Sequence, residues 1–129
     1  MSQPTDENSG ERACNLDYLL VNLGRNRAAA ERLIRIFLEN HPQLVSRLED
    51  AASGGDLLAM QDVAHDIRSS CVLFSAHRAV ALARELEYGL HNHRRGDGTI
   101  DWATRSATLI IALAEVCAEL RRFLAGEES

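Results

Sequence analysis

The chain has 129 residues and a mass of 14.3 kDa, which suffices for one ordinary domain. Ala and Leu occur 18 times each, whereas Val and Ile occur 6 times each, so the composition favours helices over strands. All 14 basic residues are arginine, and without lysine the chain lacks Schiff-base chemistry and the lysine motifs that bind ATP. A net charge of -5 with few aromatic residues also argues against a nucleic-acid partner.

The cysteines and the N-terminal segment indicate where the chain resides. Cys14, Cys71 and Cys117 are widely spaced and fit neither a disulfide framework nor a zinc site, so we interpret them as reduced core residues. Residues 1–12 are polar and contain no signal sequence, and no apolar run approaches the roughly 20 residues that cross a bilayer. We therefore expect a cytoplasmic protein that does not enter the membrane.

The periodicity of apolar residues predicts five helices. Residues 1–12 are expected to form a flexible tail, residues 13–125 a helical domain, and residues 126–129 a short C-terminal tail. The predicted helices cover residues 16–23, 27 to about 52, 57 to about 74, 76 to about 93, and 99 or 101 to about 125. Short connections between four long helices predict an all-α antiparallel four-helix bundle with a short additional N-terminal helix.

Individual residues predict where these helices begin and end. Asn26, Asp56 and Ser75 are candidate N-caps, because their side-chain oxygens can accept the free amides of a first turn. Gly126 suits the end of the last helix. Pro42 lies inside the second long element and is expected to bend it or divide it in two. Residues 94–98 are expected to form a polar turn.

A histidine in the third predicted helix points away from the core stripe. That stripe consists of Met60, Ala64, Ile67, Cys71 and Phe74. A helical wheel places His65 about 140° from the stripe, so we expect its ring to be exposed. An exposed neutral imidazole is a competent nucleophile near neutral pH. His65 is therefore the candidate acceptor of a transferred group.

The neighbours of His65 on this helix suggest two roles. Arg68 follows one turn later and can place a guanidinium beside a phosphoryl group, while Ser69 is small and leaves room for a partner. A candidate docking surface on the same helix consists of Leu58, Gln61, Asp62 and Val72. The apolar members of this surface could instead pack against a neighbouring helix. Asp62 could be an ordinary exposed acid or could orient the ring of His65.

The residues from His65 onward resemble a known family. His65-Asp66-Ile67-Arg68-Ser69-Ser70, followed by residues 71–76 and then residues 83–87, resembles the histidine-containing phosphotransfer (HPt) domain. The resemblance covers residues 16–124, including the Gly-Asp break before the histidine helix. This chain has Arg68 where the family usually has lysine, and Ser69 and Ser75 where it usually has glycine.

The resemblance implies a phosphorelay intermediate rather than an enzyme with its own kinase activity. His65 would accept a phosphoryl group from the aspartyl phosphate of a receiver domain in a hybrid sensor kinase. It would then pass the group to the aspartate of a response regulator. The chain would act as a monomer and bind no cofactor, and Mg²⁺ would be held by the partner receiver domain.

Two other functions are consistent with the residues taken alone. A helical adaptor would bind receiver domains through the same surface without any transfer. A carboxylate-bridged metal bundle would need two Glu-x-x-His motifs facing inward, whereas only residues 62–65 have this spacing, with aspartate in place of glutamate. Because the wheel points His65 outward, we expect no metal site.

Overall fold

The computed structural model describes residues 12–93 and 101–126, and these residues form five α-helices. The helices are α1 (Leu16–Asn22), α2 (Arg27–Gly54), α3 (Leu57–Val72), α4 (His77–His91) and α5 (Trp102–Leu124). The described part of the chain contains no strand, so the all-α prediction is confirmed. The predicted tail over residues 1–12 falls outside this part except for Arg12. The predicted turn over residues 94–98 and residues 127–129 also lie outside it.

Four of the five helices begin at a side-chain cap. The side-chain oxygens of Asn15, Asn26, Asp56 and Asp101 each accept a backbone amide of the following first turn. The predicted caps Asn26 and Asp56 are thus confirmed. These interactions satisfy donors that a helix leaves free, so the helix starts are set by local sequence.

Ser75 does not cap α4, which corrects the sequence prediction. The N-cap of α4 is Ala76, and it makes no side-chain hydrogen bond. Ser75 has a left-handed backbone with φ of 52°. Its amide donates to the carbonyl of Val72, and the Ala76 amide donates to the carbonyl of Cys71. Ser75 therefore ends α3 in the position that usually holds glycine.

Pro42 does not divide α2, which runs without interruption from Arg27 to Gly54. A proline in a helix interior removes one backbone hydrogen bond and costs roughly 3 kcal/mol. Buried side chains on both sides of it, Phe37 before and Leu44 and Leu48 after, belong to the same core. A break at Pro42 would expose the buried side chains on one side of it. The free energy gained by burying them therefore outweighs the cost of proline inside the helix.

The four long helices form a closed bundle in which each contacts two others. α3 packs between α2 and α4, and α5 completes the ring against α4 and α2, while α1 packs on α2. The predicted core stripe of α3 is buried, including Met60, Ile67 and Phe74. This arrangement leaves one face of α3 turned outward between its two neighbours.

The three cysteines are buried and free, as predicted for reduced core residues. Burial raises the pKa of Cys71 to about 12 and that of Cys117 to about 11. Thiols with such pKa values are poor nucleophiles near neutral pH. Within the described residues, no helix has the length and apolar character needed to span a membrane.

Candidate phosphoryl-acceptor site

His65 lies in the middle of α3 on the face that points away from the core. Its side chain is 54% exposed, in agreement with the helical wheel. Val63 and Ala64, which precede it, are fully buried, so the helix is fixed while the imidazole projects into solvent. The ring is therefore accessible to another protein without any movement of the bundle.

The ring of His65 contacts a carboxylate from the neighbouring helix. Nδ1 of His65 lies 2.9 Å from Oε2 of Glu87 on α4. The other carboxylate oxygen, Oε1, accepts a hydrogen bond of 2.8 Å from Nε of Arg68. Glu87 thus joins the candidate acceptor and the candidate cation, and its side chain is only 13% exposed.

Glu87 is held in its ionised form. The hydrogen bond from Arg68 has the largest effect and lowers the pKa of Glu87. Burial opposes it, and the hydrogen bond from His65 lowers the pKa further. The hydrogen bond to Glu87 correspondingly raises the pKa of Arg68. An ionised carboxylate only accepts hydrogen bonds, so Nδ1 must carry a proton to bond with it.

Nε2 of His65 is available for chemistry. Among residues 12–93 and 101–126, no hydrogen-bond partner is found for this atom. When Nδ1 carries the proton of a neutral imidazole, the lone pair is at Nε2. The site can therefore present a nucleophilic nitrogen to solvent, beside the guanidinium of Arg68.

Asp62 does not contact the ring. The carboxylate at Nδ1 belongs to Glu87, whereas Asp62 is exposed one turn earlier and lines a shallow depression with Arg47 and Asp56. On the α2 side, Arg47 forms an ion pair of 2.9 Å with Asp66, the residue after His65. His65 thus has an ion pair on each side, Arg47 with Asp66 toward α2 and Arg68 with Glu87 toward α4.

The apolar residues of the predicted docking surface are exposed. Leu58 is 75% exposed and Val72 is 54% exposed, so neither packs against a neighbouring helix. Leu73, which the sequence analysis did not include, is also exposed at the end of α3. Ser69 is exposed between His65 and Val72. Gln61 is half-buried, with its Nε2 3.5 Å from Nδ1 of His91.

Sequence reasoning missed Glu87 as a site residue. It is the last of residues 83–87, which are part of the resemblance, but no role was predicted for it. The available signal was its distance from the turn, because His65 precedes Ala76 by eleven residues and Glu87 follows Ala76 by eleven. In an antiparallel helix hairpin, residues equally far from the turn come close together.

A metal centre has no support in the described part of the chain. No group of three or more His, Cys, Asp or Glu side chains there is arranged to hold a metal ion. His65 and Asp62, the one pair with suitable spacing, are both exposed on α3.

Comparison with known proteins identifies the family. Residues 32–126 match the family model of the Hpt domain, which covers α3, α4, α5 and most of α2. Searches of curated proteins and of solved structures found no match to this chain. Hpt domains are histidine phosphotransfer modules of two-component signalling, and they interact with receiver domains. Because the match covers well over half of the sequence, the chain belongs to the Hpt domain family.

Proposed function

We propose that this protein carries a phosphoryl group on His65 between two receiver domains. The observation that carries this proposal is the contact between Nδ1 of His65 and Glu87, which leaves Nε2 exposed and unpartnered among the described residues. His65 is also the histidine at which the sequence resembles the acceptor of the family. The donor would be a receiver of a hybrid sensor kinase, and the recipient a response regulator.

The transfer needs little chemistry from this chain. The lone pair of Nε2 forms a bond to phosphorus as the bond from phosphorus to the aspartate oxygen of the donor breaks. The electron pair of the broken bond stays on that carboxylate. In the second transfer, an aspartate oxygen of the recipient attacks the same phosphorus and Nε2 leaves. Positioning and charge neutralisation supply most of the catalysis in such a transfer.

Arg68 and Ser69 are the residues next to the phosphoryl group in this proposal. Nη2 of Arg68 lies 3.1 Å from Nδ1 of His65, close enough to turn toward oxygens bound at Nε2. Ser69 follows on the exposed face and presents a small side chain to the partner. Mg²⁺ would be held by the receiver domain, which contributes the remaining positive charge.

The docking surface would consist of Leu58, Gln61, Asp62 and Val72 on the face of α3 that carries His65. Its apolar members lie near the two ends of the helix, so a receiver that covers both would bring its aspartate over His65. The protein would do this as a cytoplasmic monomer without kinase activity of its own.

Phosphotransfer from purified receiver domains tests this proposal. Several phosphorylated, magnesium-loaded receivers are mixed with the wild type, with His65→Ala and with the control variant His77→Ala, which removes an exposed histidine of α4. We expect acid-labile phosphate on the wild type and the control, and none on His65→Ala. If receivers bind but transfer to none of the three proteins, the adaptor function is correct instead.

A further inference from the structure

The two nitrogens of His65 face different sides of α3. Nδ1 lies 2.9 Å from Oε2 of Glu87, so this edge of the ring is turned toward α4. Nε2 lies diagonally across the five-membered ring from Nδ1, so it points outward and away from α4. A phosphoryl group on Nε2 would therefore lie over the exposed face of α3, on the side that is turned away from α4.

Ser69 lies on this side of the ring, one turn after His65. At about 100° per residue, Ser69 is about 40° from His65 around the helix, and Arg68 is about 60° from it in the opposite direction. Because Arg68 bonds to Glu87 on α4, Ser69 is on the side away from α4. Helical side chains lean toward the N-terminus of their helix, so that of Ser69 leans toward the turn that carries His65.

The hydroxyl of Ser69 is exposed and free to bond with a ligand. A serine in a helix often donates to the carbonyl four residues before it, and Ser70 does so, with its Oγ 3.0 Å from the carbonyl oxygen of Asp66. In the part of the chain that the structure describes, Oγ of Ser69 makes no hydrogen bond. The two neighbouring serines thus differ, because only the hydroxyl of Ser70 is engaged by the backbone.

We propose that the hydroxyl of Ser69 donates a hydrogen bond to an oxygen of the phosphoryl group on His65 and stabilises the phosphorylated protein. This inference rests on the proposed function, in which Nε2 of His65 carries the group. Phosphoryl oxygens are negatively charged and accept strong hydrogen bonds. Arg68 would approach the group from the α4 side and Ser69 from the opposite side. The glycine that the family usually has at position 69 offers no side-chain donor.

A ³¹P NMR titration of the phosphorylated protein tests this contact without any receiver domain. The protein is loaded with phosphoramidate: Nε2 bonds to phosphorus as the phosphorus–nitrogen bond of the reagent breaks and ammonia leaves. The signal of interest is the one that His65→Ala lacks. A hydrogen bond to charged oxygens favours their ionised form and lowers the pKa of the phosphoryl group.

The variants separate the hydroxyl of Ser69 from its neighbours. Ser69→Ala should raise the pKa of the phosphoryl group above that of the wild type, and it leaves α3 intact because alanine is a strong helix former. Ser69→Thr keeps a hydroxyl and should retain the wild-type pKa. Ser70→Ala is the matched control and should also leave the pKa unchanged. The same pKa in Ser69→Ala and the wild type would overturn the inference.

The equilibrium of transfer with a receiver domain gives a second readout. Ser69→Ala should shift this equilibrium about fivefold toward the phosphorylated receiver, because the phosphohistidine loses one hydrogen bond. Ser69→Gly also lacks the hydroxyl and should shift it in the same direction, whereas Ser70→Ala should not. A shift in Ser69→Gly without one in Ser69→Ala would show that position 69 acts through its size, which contradicts the inference.

The outcomes distinguish this inference from the proposed function. A wild type that phosphoramidate phosphorylates on His65, but that exchanges phosphate with no receiver, contradicts the proposed function. The hydrogen bond from Ser69 then still stands if the pKa of the phosphoryl group rises in Ser69→Ala. A wild type that accepts phosphate from neither source contradicts both. Exchange with a receiver that is the same in Ser69→Ala and the wild type contradicts the inference alone.

Discussion

Ser75 has a backbone conformation that residues with a Cβ atom rarely adopt. Its φ of 52° lies in the left-handed region, and its amide and that of Ala76 bond back to the last turn of α3. This arrangement ends α3 and directs α4 back along it. For a residue other than glycine, the left-handed conformation costs roughly 1–2 kcal/mol.

Ser75→Gly should therefore stabilise the protein. We expect a gain of about 0.5–1 kcal/mol in the free energy of unfolding, because part of the relief is offset by the greater freedom of glycine in the unfolded chain. Urea denaturation followed by circular dichroism measures the change. Ser75→Ala is the matched control, since it removes the hydroxyl but keeps the Cβ atom. Equal stability of the two variants would show that the backbone of Ser75 is not strained.

At the scale of elements, the hairpin of α3 and α4 builds the acceptor site. Gln61 and His91 lie fifteen residues before and after Ala76, and their side-chain nitrogens are 3.5 Å apart. His65 and Glu87 follow the same relation at eleven residues. The regular pairing could have been predicted once the turn was located. The direction of each side chain across the interface could not, because it depends on how the two helices are rotated against each other.

The exposed apolar residues of α3 give a prediction for partner binding. Leu58→Asp and Val72→Asp should each weaken the affinity for a receiver domain about tenfold, since burial of an apolar side chain contributes roughly 1.5 kcal/mol. Ile111→Asp on α5 is the matched control, because Ile111 is 60% exposed on a different helix. Isothermal titration calorimetry compares the three variants with the wild type. A loss of affinity in Ile111→Asp alone would place the docking surface on α5.

At the scale of the whole molecule, the segment before α1 is hydrogen-bonded to α5 and to the end of α3. The carboxylate of Glu119 on α5 accepts hydrogen bonds from the backbone amides of Ala13 and Cys14 and from the thiol of Cys14. The amide of Asn15 donates to the carbonyl of Phe74, at the end of α3. Burial and the hydrogen bond to Glu119 raise the pKa of the Cys14 thiol. Residues 13–15 are thus held against the bundle by hydrogen bonds, although they precede the first helix.

His41 links the stability of the bundle to pH. Burial lowers the pKa of His41 below its ordinary value of 6.5, and Arg121 acts in the same direction. Its Nε2 is buried and has no hydrogen-bond partner in the described residues. The folded state therefore holds a proton on this ring less readily than the unfolded chain does. The stabilisation that results is present above pH 6.5 and is lost as the pH falls through the pKa of the folded state.

His41→Gln should reduce the dependence of stability on pH. Between about pH 7.5 and about pH 5.5 we expect the wild type to lose more unfolding free energy than this variant. The measurement is urea denaturation at several pH values, with His77→Gln as the control that removes an exposed histidine. The pKa of Glu87 is lowered in the folded protein, so this carboxylate causes a separate loss of unfolding free energy as the pH falls below its ordinary pKa of 4.5. If the unfolding free energies of the wild type and His41→Gln change equally with pH, His41 is not the source of the pH dependence.

Local patterns were sufficient to predict the helices, the caps at Asn26 and Asp56, the buried stripe of α3 and the exposure of His65. Each of these depends on residues within a few positions of one another, where period and cap chemistry act directly. Three other features depend on how the helices pack in the bundle. Pro42 stays within one helix because the core on both sides holds it there, and Ser75 is left-handed because α4 must return along α3. The contact of Glu87 with His65 joins residues 22 positions apart, and it forms only when the packed helices bring them together.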